Sequence, residues 1–269
     1  WNRRTILPAG FVNDTDALVR GDAYHTESRF AANTLPGQSS SDTSTRNFAQ
    51  LHTQVGYPLA KRVDEGSVVV EPRVAFTAGT DVNDFDDIPN EDSQDVDFSV
   101  SQLFDANRFA GYDRIDDGVR ATYGIANQYL GDDGHQAEVF LGQSIRLDGG
   151  DNPFPDGSGL ENKASDWVGR VRYATAAGSA VEYSFRYDEK TFASERQDVT
   201  LNLNMNPLSV AATYFYVSPL AGTDLTDDRE QVQISPALKI SDQWYLRGNA
   251  RYDLSGTEAQ QGLQTAGIG

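Results

Sequence analysis

The chain is 269 residues long, enough for one or two ordinary domains or a single large β-domain. A formal net charge of -18 and a pI near 4.4 argue against a nucleic-acid partner, because phosphate calls for a basic face. Hydrophobic residues make up 38% and mean hydropathy is -0.52, which is lean for a compact water-soluble core, while 10% aromatics in alternating runs argue against disorder. There is no cysteine, hence no disulfide and no thiolate metal site.

Period-2 alternation dominates the chain. It predicts about twelve antiparallel strands of about ten residues each, the length that crosses a bilayer when tilted. The predicted starts are near Asn2, Ala17, Arg46, Ser67, Gly118, Gln136, Asp166, Ala180, Arg196, Leu208, Glu230 and Gln243. From Gly118 to Tyr129, Val119, Ala121, Tyr123 and Ile125 share a face. The clearest segment places Val181, Tyr183, Phe185 and Tyr187 opposite Glu182, Ser184, Arg186 and Asp188. Val199, Leu201, Leu203 and Met205 then oppose Asp198, Thr200, Asn202 and Asn204. Val232, Ile234, Leu238 and Ile240 repeat the scheme, as do Trp244, Leu246, Ala250 and Tyr252 against Arg247, Asn249, Arg251 and Asp253.

The connections alternate in length. Short links at 131–134, 176–179, 205–207 and 241–242 fall between longer polar ones at 26–45, 79–117, 148–165, 219–229 and 255–263; the link near Phe192 is a short exception. Short turns on one rim and long loops on the other are the mark of a transmembrane β-meander. Aromatics near strand ends (Tyr57, Tyr129, Trp167, Tyr187, Trp244) point the same way. A soluble β-sandwich alternates too, but it has no reason to sort its loops by parity. Pro72 and Pro236 interrupt otherwise good strands and predict bulges or strand ends.

If the apolar faces meet lipid, Arg73, Arg120, Arg170, Arg172, Arg186, Arg247 and Arg251 point into the lumen beside Glu138, Glu182, Asp188 and Asp253. Mutual pairing of solvated wall residues is one account of them. A hydrated path for a charged head group is the other.

The 79–117 link is too long to be idle. It carries Leu103, Phe104, Asn107, Arg108, Phe109, Gly111, Tyr112, Asp113, Arg114 and Ile115, followed by Tyr123 and Gly124. This run resembles the LPS-assembly outer-membrane protein family LptD, also called the organic-solvent-tolerance family. Arg20-Gly-Asp-Ala-Tyr24 and Val70-Glu-Pro-Arg-Val74 are looser similarities. The residues themselves predict a structured loop, with Phe104, Phe109, Tyr112 and Ile115 as apolar anchors and Gly111 at a tight turn. Arg108, Asp113 and Arg114 would pair with each other or with carbonyls. Contact of Arg108 or Arg114 with lipopolysaccharide phosphates stays open as a second reading.

The resemblance implies a Gram-negative outer-membrane barrel of about 26 strands. Residues 1–269 would supply one partial barrel domain from its later half, incomplete at both ends. The start at Trp1 and the Gly267-Ile-Gly269 end, which lacks a terminal aromatic, fit that expectation. It further implies lipopolysaccharide translocation and insertion into the outer leaflet, with no enzymatic step and no cofactor. The implied partners are lipopolysaccharide, a plug lipoprotein (LptE-like), periplasmic bridge proteins and outer-membrane lipids. A general porin or nutrient transporter is the alternative, and a soluble β-sandwich binding module stands behind it.

No metal site is expected. His25, His52 and His135 lack ligand spacing, Gly149 to Gly157 lacks the order of a calcium loop, and the acidic runs 81–87 and 224–228 read first as solubility features, with divalent-cation contact at a charged surface as the second reading. No Gly-x-Ser-x-Gly elbow is present.

Overall fold

The computed structural model describes residues 1–28, 40–82, 88, 90–93, 96, 98–148, 152–219, 227–255 and 262–268. Strands β1 (Asn2–Ile6), β2 (Val12–Ser28), β3 (Ser40–Gly56), β4 (Leu59–Val63), β5 (Gly66–Gly79) and β6 (Val119–Gly131) are followed by β7 (Gln136–Asp148), β8 (Trp167–Ala174), β9 (Ala180–Tyr187) and β10 (Ser194–Met205). The last four are β11 (Leu208–Val217), β12 (Arg229–Lys239), β13 (Tyr245–Asp253) and β14 (Gly262–Ile268). Each pairs antiparallel with its neighbour in chain order, giving an all-β meander in one sheet; β4 alone lies off that path and pairs with β5.

The twelve expected strands are present, and two more were not foreseen. β4 continues β3: Gly56 pairs with Arg73 and Leu59 with Val70, in one register on either side of the Tyr57-Pro58 break. β14 pairs with β13 where the sequence suggested only a polar link into the chain's end. The two prolines also correct an expectation. The β5–β6 ladder runs unbroken through Pro72↔Ile125, so there is no bulge. A strand residue's N–H and C=O point to the same side, and the Pro72 carbonyl accepts from Tyr57 N at 3.1 Å. The missing amide therefore faces the gap between β3 and β4, where it costs least. Pro236 behaves alike: it pairs with Val210 on β11, and the β12–β13 ladder skips it without changing register.

Links sort by rim as the sequence predicted. Connections 57–58, 64–65, 132–135, 175–179, 206–207 and 240–244 lie toward one rim; 80–118, 149–166, 188–193, 218–228 and 254–261 lie on the other. Strong alternation makes the two faces differ. Val19, Leu51, Val74, Phe76, Ile125, Val139, Leu141, Val171, Tyr173, Val181, Ile234, Leu238 and Leu246 stand exposed on one face. The opposite face carries Arg46, Gln50, His52, Thr77, Arg120, Thr122, Ser144 and Arg186, all buried. Among the described residues no second sheet covers the apolar face, so the dry core of a sandwich is absent.

The packed core lies instead over the polar face. Val96, Phe98, Leu103 and Phe109 of the 80–118 link meet Phe154 and Leu160 of the 149–166 link. Both sets rest on Ala126, Phe140 and Val168, apolar residues set among polar ones on β6, β7 and β8. Ile115 forms a smaller group with Phe48 and Val82.

An arginine on the uncovered apolar face reports what that face meets. Leu141→Arg is expected to cost about 2–4 kcal/mol in a bilayer, read from urea titration of the protein folded in lipid vesicles. Unchanged folding free energy would rule out hydrocarbon against this face.

Candidate functional site

The long links are held by arginines of the wall, and these grasp main-chain carbonyls. Arg46 on β3 donates to the carbonyls of Tyr112 at 2.8 Å and Asp113 at 2.9 Å, and pairs with Asp22 on β2 at 2.8 Å. Arg20 on β2 reaches the Tyr112 carbonyl at 3.0 Å, and Arg46 also bonds the Tyr24 hydroxyl at 2.9 Å. The Arg20 to Tyr24 segment and the long motif are thus one contact surface. Arg120 on β6 donates to the carbonyls of Asp105 and Ala106, both at 2.6 Å. Arg186 on β9 holds the Gly157 carbonyl at 2.9 Å and also that of Ser158.

Asp116 is the centre of the arrangement. It is fully buried, with Arg108 at 2.5 and 3.1 Å, Arg120 at 2.9 Å and Arg146 at 3.9 Å. Asp117 takes Arg146 at 3.0 Å and the Val82 amide at 3.0 Å. Burial alone would raise the Asp116 carboxyl, yet Arg108 and Arg120 hold it below the ordinary carboxylate range. At Asp117 burial wins, and its carboxyl is pushed up despite Arg146. A buried ion cluster of this kind fixes geometry more than it adds stability, because desolvation offsets most of the attraction.

The motif residues divide by role. Leu103 and Phe109 are buried, with Phe109 stacked on Phe154 at 4.5 Å and Arg108 over the Phe154 ring at 5.2 Å. Phe104 is partly buried, edge-on to Phe140 at 6.3 Å. Asn107 Oδ1 accepts from the Asp116 amide at 3.0 Å. Asp113 accepts from the amides of Glu91 and Asp92, and Asp92 in return accepts from those of Tyr112 and Asp113. Arg114 donates to the Ile88 carbonyl at 2.8 Å.

Four expectations change. The Tyr112 side chain is 72% exposed under the Arg20 guanidinium, so its carbonyl is the anchor and its ring is not. Gly111 serves close approach, since a Cβ there would collide with the Asp92 carboxylate. Gly142 does the same under Leu103. Arg108 is committed to Asp116 and shielded, which removes it as a contact for an external phosphate; Asp113 pairs with amides rather than arginines.

Of the eleven expected wall residues, the seven arginines, Glu138 and Glu182 share the polar face, as their cross-strand partners require. They do not share one environment. Arg120 and Arg186 are buried beneath links. Arg73 pairs with Glu71 at 2.7 Å, Arg170 with Glu138 at 2.5 Å, and Arg172 with Glu182 at 3.9 Å. Arg251 donates to Gln233 at 3.0 Å, and Arg247 lies 5.9 Å from the Tyr245 ring. Asp188 lies beyond β9 and caps the 188–193 link through Thr191; Asp253 ends β13.

Sequence reasoning missed Phe48, Phe140, Phe154, Leu160 and Val168. The signal of Phe48, Phe140 and Val168 was an apolar residue on the otherwise polar parity of a strand, and that of Phe154 its place between Pro153 and Pro155; Leu160 carried none. The histidines stay apart: His25 bonds Thr43, His52 bonds Thr77 and His135 bonds Tyr173. Acidic runs 81–87 and 224–228 fall mostly outside the described residues.

The family model described as LPS transport system D matches residues 1–260. The chain belongs to this family. It is 27% identical over 251 residues to the LPS-assembly protein LptD of Saccharophagus degradans, covering 84% of this chain and 28% of that protein. The LPS-assembly protein LptD of Alcanivorax borkumensis is 24% identical over 251 residues, covering 91% of this chain and 32% of its own length. That of Pseudomonas syringae pv. tomato is 32% identical over 120 residues, covering 44% of the chain and 12% of that protein. The chain therefore spans about a quarter to a third of the first two relatives. The family's description names transport, not a reaction.

Asp116→Asn leaves Arg108 and Arg120 buried without their counter-charge and is expected to cost about 3–5 kcal/mol. Asp132→Asn, at the exposed pair with Arg62, should stay within about 1 kcal/mol; equal losses in denaturant titration would refute the central role of Asp116. Asp92 gives a pH test. The amides of Tyr112 and Asp113 hold its carboxyl down at about 2, against an unperturbed 3.8. A depressed folded value stabilises above the unfolded one and is lost as pH falls between them. Pepsin cleavage within 104–115 should accelerate on acidification from about pH 4 to about pH 2, relative to a free peptide. A constant ratio would remove the Asp92 clasp.

Proposed function

We propose that residues 1–269 are one partial domain, a segment of the wall of an outer-membrane β-barrel, and that the whole protein carries lipopolysaccharide into the outer leaflet. The observation that carries this reading is the sidedness of the sheet. Its apolar face is left uncovered, while the long links fold against the polar face. In water such a protein would turn its apolar face inward. In a bilayer the same face meets hydrocarbon, and closure of the sheet satisfies its edges.

In this reading the polar face lines a wet interior that the 80–118 and 149–166 links partly fill from the long-link rim. Beside them, the polar face of β10 to β13 stays open, carrying Asp198, Thr200, Asn202, Gln233, Arg247 and Arg251. A phosphorylated sugar head finds hydrogen-bonding groups of both signs there. Arg170 and Arg172, with Glu138 and Glu182, continue that wall toward the short-link rim. Lipopolysaccharide is the cargo and outer-membrane lipids surround the barrel. A plug lipoprotein would occupy interior space, and periplasmic bridge proteins would deliver cargo from the short-link side. No covalent step is involved.

Depletion of the whole protein in its Gram-negative host tests the reading. Lipopolysaccharide at the cell surface is expected to fall while porins remain in the membrane. Undiminished surface lipopolysaccharide would overturn the transport assignment.

A further inference from the structure

Three acidic residues at the long-link rim have no part in the link-to-wall contacts described above. Asp166 immediately precedes β8, and Asp188 and Glu189 immediately follow β9. Pairing of Trp167 with Tyr187 brings the two positions together. One carboxylate oxygen from each residue lies within 4.8 Å of the other two.

Among the described residues, Arg186 and Lys190 bring two positive charges to these three negative ones. The two terminal nitrogens of Arg186 are committed to the Gly157 and Ser158 carbonyls, and its Nε stands 3.7 Å from Asp166 Oδ2. Lys190 Nζ is 2.8 Å from Glu189 Oε1, but the lysine side chain is largely exposed, where a pair contributes little. A second observation is independent of the clustering. The Glu189 side chain is only 7% exposed, and its buried Oε2 has no hydrogen-bond partner. With Oε1 held by Lys190, Oε2 is the oxygen it has to offer. A buried carboxylate oxygen without a donor is costly unless a cation meets it.

We propose that Asp166, Asp188 and Glu189 form a divalent-cation site selective for Ca2+ over Mg2+. Hard cations take carboxylate oxygens. Ca2+ holds them at about 2.3–2.6 Å, so ligands on opposite sides stand roughly 5 Å apart, while Mg2+ needs a tighter octahedron at about 2.0–2.1 Å. Oxygens within 4.8 Å of one another can meet a single ion, and three carboxylates on a strand entry and a strand exit suit the flexible coordination of Ca2+ better than the strict octahedron of Mg2+. Asp188 keeps Oδ2 for this purpose, because Oδ1 already accepts from Lys190, from the Thr191 amide and from the Thr191 hydroxyl. The ion would tie the entry of β8 to the exit of β9 and so fix where the 149–166 link turns back to the wall.

Trp167 and Tyr187 flank the site, so Tb3+ serves as the probe through sensitised luminescence. The whole protein is folded in detergent micelles and titrated with Tb3+, then with Ca2+ and Mg2+. Luminescence should appear and be displaced by Ca2+ at lower concentration than Mg2+. Glu189→Gln and Asp188→Asn, each with folding checked by heat-modifiable gel migration, should weaken apparent affinity at least tenfold. Asparagine supports the same turn at 188, which keeps the test open should Glu189→Gln fail to fold. A folded variant with unchanged Ca2+ displacement, or a parent protein without a displaceable signal, overturns the site. No glycolipid enters the measurement, so its outcome is separate from that of the transport reading.

Discussion

The structure depends on one constraint: arginines on the polar face of the β-strands must satisfy their guanidinium groups where, among the described residues, no second sheet covers them. They do so by donating to carbonyls of links that fold back over the strands. Arg46, Arg120 and Arg186 sit on three different strands and make this contact with two different links. An arginine forks five donors in a plane, which lets one side chain collect several carbonyls that would otherwise be buried unsatisfied. The link backbone gains partners, and the buried cations gain acceptors.

Asp116 lets this work at its most crowded point. Arg108 comes from the link and Arg120 and Arg146 from the wall, and without a shared carboxylate their mutual repulsion would push link and wall apart. Electrostatics place the link, while Leu103, Phe109 and Phe154 hold it there. Burying each such side chain contributes about 1.5–3 kcal/mol, more than an ion cluster nets after desolvation. Apolar contact carries the energy and the charges carry the register.

Alternation made the fold readable in advance, because a period of two is unambiguous over strands as long as β6 and β7. Loop parity followed from it. β14 was hidden because Gly262–Ile268 shows little alternation of polarity, and β4 because Pro58 reads as a stop though the register survives it. The motif was legible as a structured loop, yet not the direction of its contacts. Tyr112 looks like an anchor in sequence, whereas its carbonyl is what the wall holds. Main-chain acceptors leave no trace in a sequence, and Arg186 cannot announce that its partners are Gly157 and Ser158. The acidic trio was equally invisible, since strand pairing rather than spacing unites it.

Clamping through main-chain carbonyls has an evolutionary corollary. Every amino acid carries the same carbonyl, so positions 105, 106 and 112 can drift in side chain while the grip persists. The guanidinium bearers have no such freedom, since lysine lacks the fork. Sequence divergence in this family should thus fall unevenly, with strands holding their cations and the gripped loops wandering around them.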